Sequence, residues 1–159
     1  MTDKKLFNFL ESDNPKVPAA EFPFRHCIPV QMRFTDIDML GHLNNNVYLT
    51  FMDLAKVRYF SDVLPVGMDW KSINAVVVHI SCDFYSPSYF NESLEVWTTV
   101  TSVSTHSFKM EQRVVNSVTG QTKCIGRTVM AGFDPATATG KELDRHWIES
   151  VEVYEHRKF

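Results

Sequence analysis

Cysteine is scarce in this chain and follows no pattern. Cys27, Cys82 and Cys124 make an odd total with no C-x-x-C pair. A disulfide framework or a structural zinc site is therefore not expected, and a reducing cytoplasm is the natural setting. No long basic run occurs and the formal charge is −3, which argues against a general nucleic-acid binder. No apolar stretch is long enough to span a membrane. The charged start (Asp3, Lys4, Lys5) does not suit a signal peptide. There is no glycine-rich phosphate loop and no G-x-S-x-G elbow. No His/Asp/Glu cluster has the spacing of a metal site, so neither metal nor cofactor is expected. Repeats and low-complexity segments are absent too.

The composition is that of an ordinary folded domain. Its 159 residues suit a single core, and 44% hydrophobic against 22% charged residues excludes a disordered chain. Residues 1–25 carry Pro15, Pro18 and Pro23 among scattered Phe, which disfavours a long regular element. They read as an arm packing through Phe7, Phe9, Phe22 and Phe24, with a short helical turn over 6–11, ahead of one domain over 26–159. Alternation predicts a strand over 26–35. Residues 47–63 read as a helix, apolar over far more than one stripe and so surrounded by protein; Pro65 and Gly67 end it. Four strands follow over 75–85, 94–104, 107–117 and 121–133. Leu94, Val96, Thr98 and Val100 share a face of the second. In the third, Phe108, Met110, Gln112 and Val114 oppose Lys109, Glu111 and Arg113. Thr119-Gly120 marks a hairpin, and 142–156 is a closing helix or coil. With no βαβ alternation, the expected class is α+β: a curved antiparallel five-stranded sheet, its last four strands a meander, wrapped around one long central helix.

Chemistry concentrates between strand and helix. Residues 35–46 hold Asp36, Asp38, His42 and the amides Asn44, Asn45 and Asn46 just ahead of a helix start, where unpaired N–H groups favour negative charge. A carboxylate there reads in two ways, as a cap or as an acid/base or nucleophile facing an oxyanion site. Asp36 reads as structural, holding the loop or pairing with Arg33. His42 reads equally as a substrate or proton-relay group and as a hydrogen-bonded loop histidine. Tyr48 reads as core or pocket wall, and His79 and Cys82 as buried strand residues.

The spacing Asp36-x-Asp38-x-x-Gly41-His42-x-Asn44-Asn45-x-x-Tyr48 resembles the signature of the hotdog-fold, 4-hydroxybenzoyl-CoA thioesterase-like family. Two further pieces support it in order: Asp83-Phe84-x-x-Pro87 followed by Leu94-Glu95-Val96, and Ser107-Phe108. The resemblance implies hydrolysis of an acyl-CoA or acyl-carrier-protein thioester, with CoA entering only as part of the substrate. It also implies dimers whose sheets join edge to edge, often paired into tetramers. Carried over, Asp38 is the acidic catalytic residue, acting as base or nucleophile, the Asn45 N–H polarises the thioester carbonyl, and His42 is a further member of the catalytic set. Asn44, Tyr48 and Ser107 contact substrate. The chain departs from the pattern twice. Leu40 stands where acyl-carrier-protein thioesterases place an Asn between Asp and His, and Ser104, Thr105 and His106 stand where some members place cations for CoA phosphates. A hydratase or dehydratase on the same fold is a second reading, disfavoured because the expected D-x-x-x-x-H spacing is missing. A non-catalytic acyl-thioester binding module is a third.

Overall fold

The computed structural model describes residues 12–64 and 66–159. The elements run β1 (His26–Val30), α1 (Asn45–Val63), β2 (Ala75–Phe84), β3 (Leu94–Val103), β4 (Ser107–Asn116), β5 (Thr122–Asp134), β6 (Thr139–Gly140) and α2 (Arg145–Glu155), with 3-10 turns at Phe34–Asp36 and Trp70–Ile73. All strand pairs are antiparallel, and the sheet order is β1-β3-β4-β5-β2 with β6 paired to the end of β5. The expected class, a five-stranded antiparallel sheet around a central helix, is what forms.

Four expectations need correction. His79, expected to be buried, is exposed on the β2 strand, and Cys82 is only half-buried. α1 is not surrounded on every side, since Leu54 and Val57 are exposed on its outer face. The first strand stops at Val30 and not at residue 35. Its partner β3 begins at Leu94, which faces Val30, so no ladder exists beyond that point. The chain instead closes a 3-10 turn in which the Asp36 carboxylate accepts from the Arg33 N–H at 2.8 Å. The last four strands are also not one meander. β3, β4 and β5 are, but β2 crosses to pair with β5, from Ala75 opposite Gly132 to Phe84 opposite Cys124. β2 is therefore an edge strand.

α1 buries Tyr48, Phe51, Met52 and Ala55 against Leu94, Val96, Val114 and Cys124 at one end of the sheet. At the other end it buries Tyr59, Phe60 and Val63 with Phe108, Met110 and, from α2, Trp147 and Val151. Fully burying one such side chain contributes about 1.5–3 kcal/mol. Helix and sheet approach closely because residue 126 is glycine: a Cβ there would run into the Sδ of Met52. On the sheet's outer face, Ala20 and Phe24 of the N-terminal segment pack on Trp97 and Val115. Arg113 is held there too, its guanidinium 5.7 Å from the Phe24 ring and its Nη1 donating to the Pro18 carbonyl. Phe7, Phe9 and the turn expected over 6–11 lie outside the described residues.

α2 completes the other edge. β1 covers β3 only from Leu94 to Thr98. Beyond it the Val100 N–H donates to Glu155 Oε1 at 3.1 Å, and Arg157 Nη2 donates to the Val100 carbonyl. Among the described residues no helix is long and apolar enough to cross a membrane.

Candidate active site

The hinge between β1 and α1 is a tied loop. Ile37 bridges Leu43, the Asp38 N–H donates to the His42 carbonyl at 3.0 Å, and the Gly41 N–H donates back to the Asp38 carbonyl at 3.0 Å. Gly41 takes φ +83, a left-handed conformation that a side chain disfavours, and this lets the chain reverse within four residues. His42 and Asp38 thereby lie side by side, His42 Nδ1 3.9 Å from Asp38 Oδ1, with side chains 29% and 26% exposed in that order. That separation is beyond a hydrogen bond. Asp38 Oδ1 instead accepts from the Leu40 N–H at 2.8 Å. The backbone of Leu40 thus occupies one carboxylate oxygen, although its side chain carries no amide. No donor among the described residues holds Oδ2.

Asp36 is used differently. It is buried and accepts from the Arg33 guanidinium (Nη2 to Oδ1 2.9 Å) as well as from the Arg33 N–H. Hydrogen bonding from Arg33 holds its carboxyl below the ordinary carboxylate value, outweighing the opposing effect of burial. The Asp36 carbonyl accepts from the Asn44 N–H at 2.9 Å, so the turn also anchors the helix start.

α1 begins at Asn45, two residues earlier than the apolar run suggests, because Asn44 caps it. The Asn44 side chain accepts from the Asn46 N–H at 3.0 Å, and its carbonyl from the Val47 N–H at 2.9 Å. Among the described residues no acceptor meets the Asn45 N–H. The helix start therefore presents the Asn45 N–H toward solvent, without an acceptor among those residues.

Tyr48 is buried, its hydroxyl donating to Ser88 Oγ at 2.8 Å and its ring edge-on to Phe84. Ser88 is a residue that the motif did not single out. Its carbonyl also accepts from the Leu43 N–H at 2.8 Å, and the adjoining Pro87 carbonyl accepts from the buried Lys123 ammonium at 2.9 Å. The β2–β3 loop thus braces the hinge. The only sequence sign of this was the place of Ser88 directly after the Asp83-Phe84-x-x-Pro87 piece. Ser107 stays apart from the hinge. It opens β4, its Oγ 3.0 Å from Ser104 Oγ, while the hinge adjoins the Asn116 end of that strand, about 30 Å away along it.

Cys82 and Cys124 are poor nucleophiles. None of the three cysteines forms a disulfide, and burial pushes Cys82 and, much further, Cys124 above the ordinary thiol value. Among the described residues no group of His, Cys, Asp or Glu is placed to hold a metal ion.

A curved antiparallel sheet around one helix, with a half-open carboxylate loop at the helix start, is the hotdog architecture of thioester hydrolases. The sequence model of the thioesterase-like superfamily matches residues 32–153, and the chain belongs to that family. Thioester hydrolysis is the reaction class that this membership carries. A thioesterase from Thermus thermophilus, solved with coenzyme A and Zn, is similar at 28% identity and TM-score 0.76, over 86% of this chain and 98% of that one. The 1,4-dihydroxy-2-naphthoyl-CoA thioesterase of Synechocystis (20%, TM-score 0.70, over 79% and 94%) shares the fold. So does the probable thioesterase YbaW of Escherichia coli (20%, TM-score 0.68, over 82% and 98%). No curated protein matches this chain.

Proposed function

We propose that this protein hydrolyses acyl-CoA thioesters in a reducing cytoplasm, with Asp38 as the catalytic carboxylate and the Asn45 N–H as the oxyanion donor. The observation that carries this reading is the pairing in one tied loop of a carboxylate oxygen without a donor and a helix-start N–H without an acceptor. Thiolate leaves readily, so a carboxylate suffices. Asp38 either attacks the carbonyl carbon, expelling thiolate and leaving a mixed anhydride that water opens, or takes a proton from the attacking water. His42, one side chain away, orients Asp38 or the substrate. Asn44 and Tyr48 act by fixing the loop.

The acting form is a homodimer joined along β2. Val76, Val77, Val78 and Ile80 are exposed on that strand, as are Met39 and Leu40 on the hinge. An open apolar edge strand is a template for a second copy. Register supports what such pairing achieves. The Phe84 end of β2 lies at the hinge, against Tyr48, and its Ala75 end lies near Ser107, since both Gly132 and Ala131 belong to that end of β5. Antiparallel pairing of β2 with its copy sets the hinge of one protomer against the Ser107 end of the other. The partner's Ser107 would then reach substrate held at Asp38.

A thiol-release assay over acyl-CoA and acyl-carrier-protein substrates tests the reading. Carrier-protein substrates belong in it because no cation stands at Ser104, Thr105 or His106. Turnover by the wild type and its loss in D38N supports the proposal; equal turnover by D38N overturns it.

A further inference from the structure

A cavity of about 450 Å³ lies between α1 and the start of β2, away from the protomer's own hinge. Its size falls in the ordinary range for small-molecule sites, about 300–1,000 Å³. Val57, Phe60, Ile73, Met130 and Phe133 wall it with apolar surface. One wall differs. Lys56 stands at a core position of α1, one turn after Met52 and one turn before Phe60, and is 5% exposed. Its ammonium donates to Asp53 Oδ1 at 2.9 Å, and among the described residues it has no other acceptor. Asp53 is itself 70% exposed, so the ion pair stands at the mouth of the cavity, where apolar wall meets solvent. Two of the three Lys56 N–H donors have no acceptor among the described residues and are open to a ligand entering there.

We propose that this cavity takes the acyl chain of the thioester and that Lys56 and Asp53 together read a hydroxyl group on that chain. The inference deepens the function proposed above and rests on it. The cavity lies at the Ala75 end of β2, so pairing along β2 sets it against the hinge of the second copy. A plain alkyl chain would fill the apolar walls and leave the Lys56 donors unmet. A carboxylate on the chain would meet Lys56 but repel Asp53. A hydroxyl accepts from Lys56 and donates to Asp53, so it satisfies the pair without breaking it. Lys56 and Asp53 are thus specificity residues, distinct from the hinge that performs the cleavage.

The test compares kcat/KM for decanoyl-CoA with those for 3-hydroxydecanoyl-CoA and 10-hydroxydecanoyl-CoA. Wild type is expected to favour one hydroxylated substrate over decanoyl-CoA by about tenfold or more. K56M and D53N bring that ratio to about one, with folding checked by circular dichroism. A wild-type ratio near one, or an undiminished ratio in both variants, overturns the proposal. Titration of 10-hydroxydecanoate, 3-hydroxydecanoate and decanoate into wild type and K56M reads the same preference as a ratio of Kd. Absent turnover of every thioester would fail the hydrolase reading alone, and the Kd ratio would still decide this one. A tagged heterodimer of D38N and K56M fixes the geometry. Its sole complete site pairs the K56M chain's Asp38 with the D38N chain's Lys56, so retained hydroxyl preference supports the placement across the dimer, and its loss overturns it.

Discussion

Asp36 and Asp38 are two positions apart and differ in what they meet. Asp36 is 3% exposed and closed off by Arg33, whereas Asp38 keeps one oxygen without a donor. D38N should leave the melting temperature within a degree or two and lower kcat by about 10²–10⁴, the range of a lost acid–base group; steady-state thiol release measures it. D36N should do the reverse in kind, lowering Tm by about 2–6 °C. Its pH dependence has a definite sign. The Asp36 carboxyl is held below its unfolded value of about 3.9 by Arg33, so its contribution is present above that value and lost as pH falls through the folded one. The Tm gap between wild type and D36N should stay constant from about pH 7 to 5 and close below about pH 4. A gap that widens in acid would contradict this account. The sequence separated the two aspartates through motif position and the nearby Arg33. It did not reveal Ser88 or Lys56. Ser88 meets the hinge only through a long-range loop contact that no local pattern encodes. Lys56 did leave a sign, a lysine spaced four from Met52 and four from Phe60 on a helix read as buried.

At the scale of elements, α1 was legible as a long apolar run closed by Pro65 and Gly67, and β3 to β5 from alternation and turn residues, while edges and partners were not. The helix starts two residues early because a cap, rather than the apolar run, sets its first turn. β1 ends early because β3 offers it nothing past Leu94, a fact about the neighbour and not about residues 31–35. The crossing of β2 to β5 is a non-local choice that alternation cannot express. Two glycines then report how tightly elements meet. Gly126 faces the end of the Met52 side chain, which can turn aside, whereas Gly132 faces the backbone carbonyl of Lys141, which cannot. G126A should therefore cost about 1–2 kcal/mol and G132A clearly more, about 3 kcal/mol or above. Urea unfolding of the two variants would compare them, and equal midpoints would sink the argument.

At the scale of the molecule, β2 raises the question of why an edge strand leaves so much apolar surface uncovered. Its ladder with β5 is irregular at Val78, between Val77 and His79, and Asp83 near its end pairs with Arg127, yet Val76, Val77 and Val78 stay exposed. The hinge is similarly bare at Met39 and Leu40. Both exposures lie where a second copy pairing antiparallel along β2 would come to rest, and the same pairing brings the cavity beside Lys56 to the foreign hinge. Under the proposed pairing catalysis and assembly are a single property, because each site would need one chain's Asp38 and the other's cavity. Val78, 59% exposed, is the position to probe. V78K places like charges on facing copies without touching Asp38, Asn45 or the core. Sedimentation should show a monomer at micromolar concentration, and kcat/KM should fall by about 100-fold or more, since the acyl chain loses the foreign wall that orients it. Raising the protein concentration should recover part of that loss in proportion to the dimer regained. A V78K monomer that hydrolyses at the wild-type rate would mean that each protomer holds a complete site, and both the shared site and the role of the cavity across the interface would have to be abandoned.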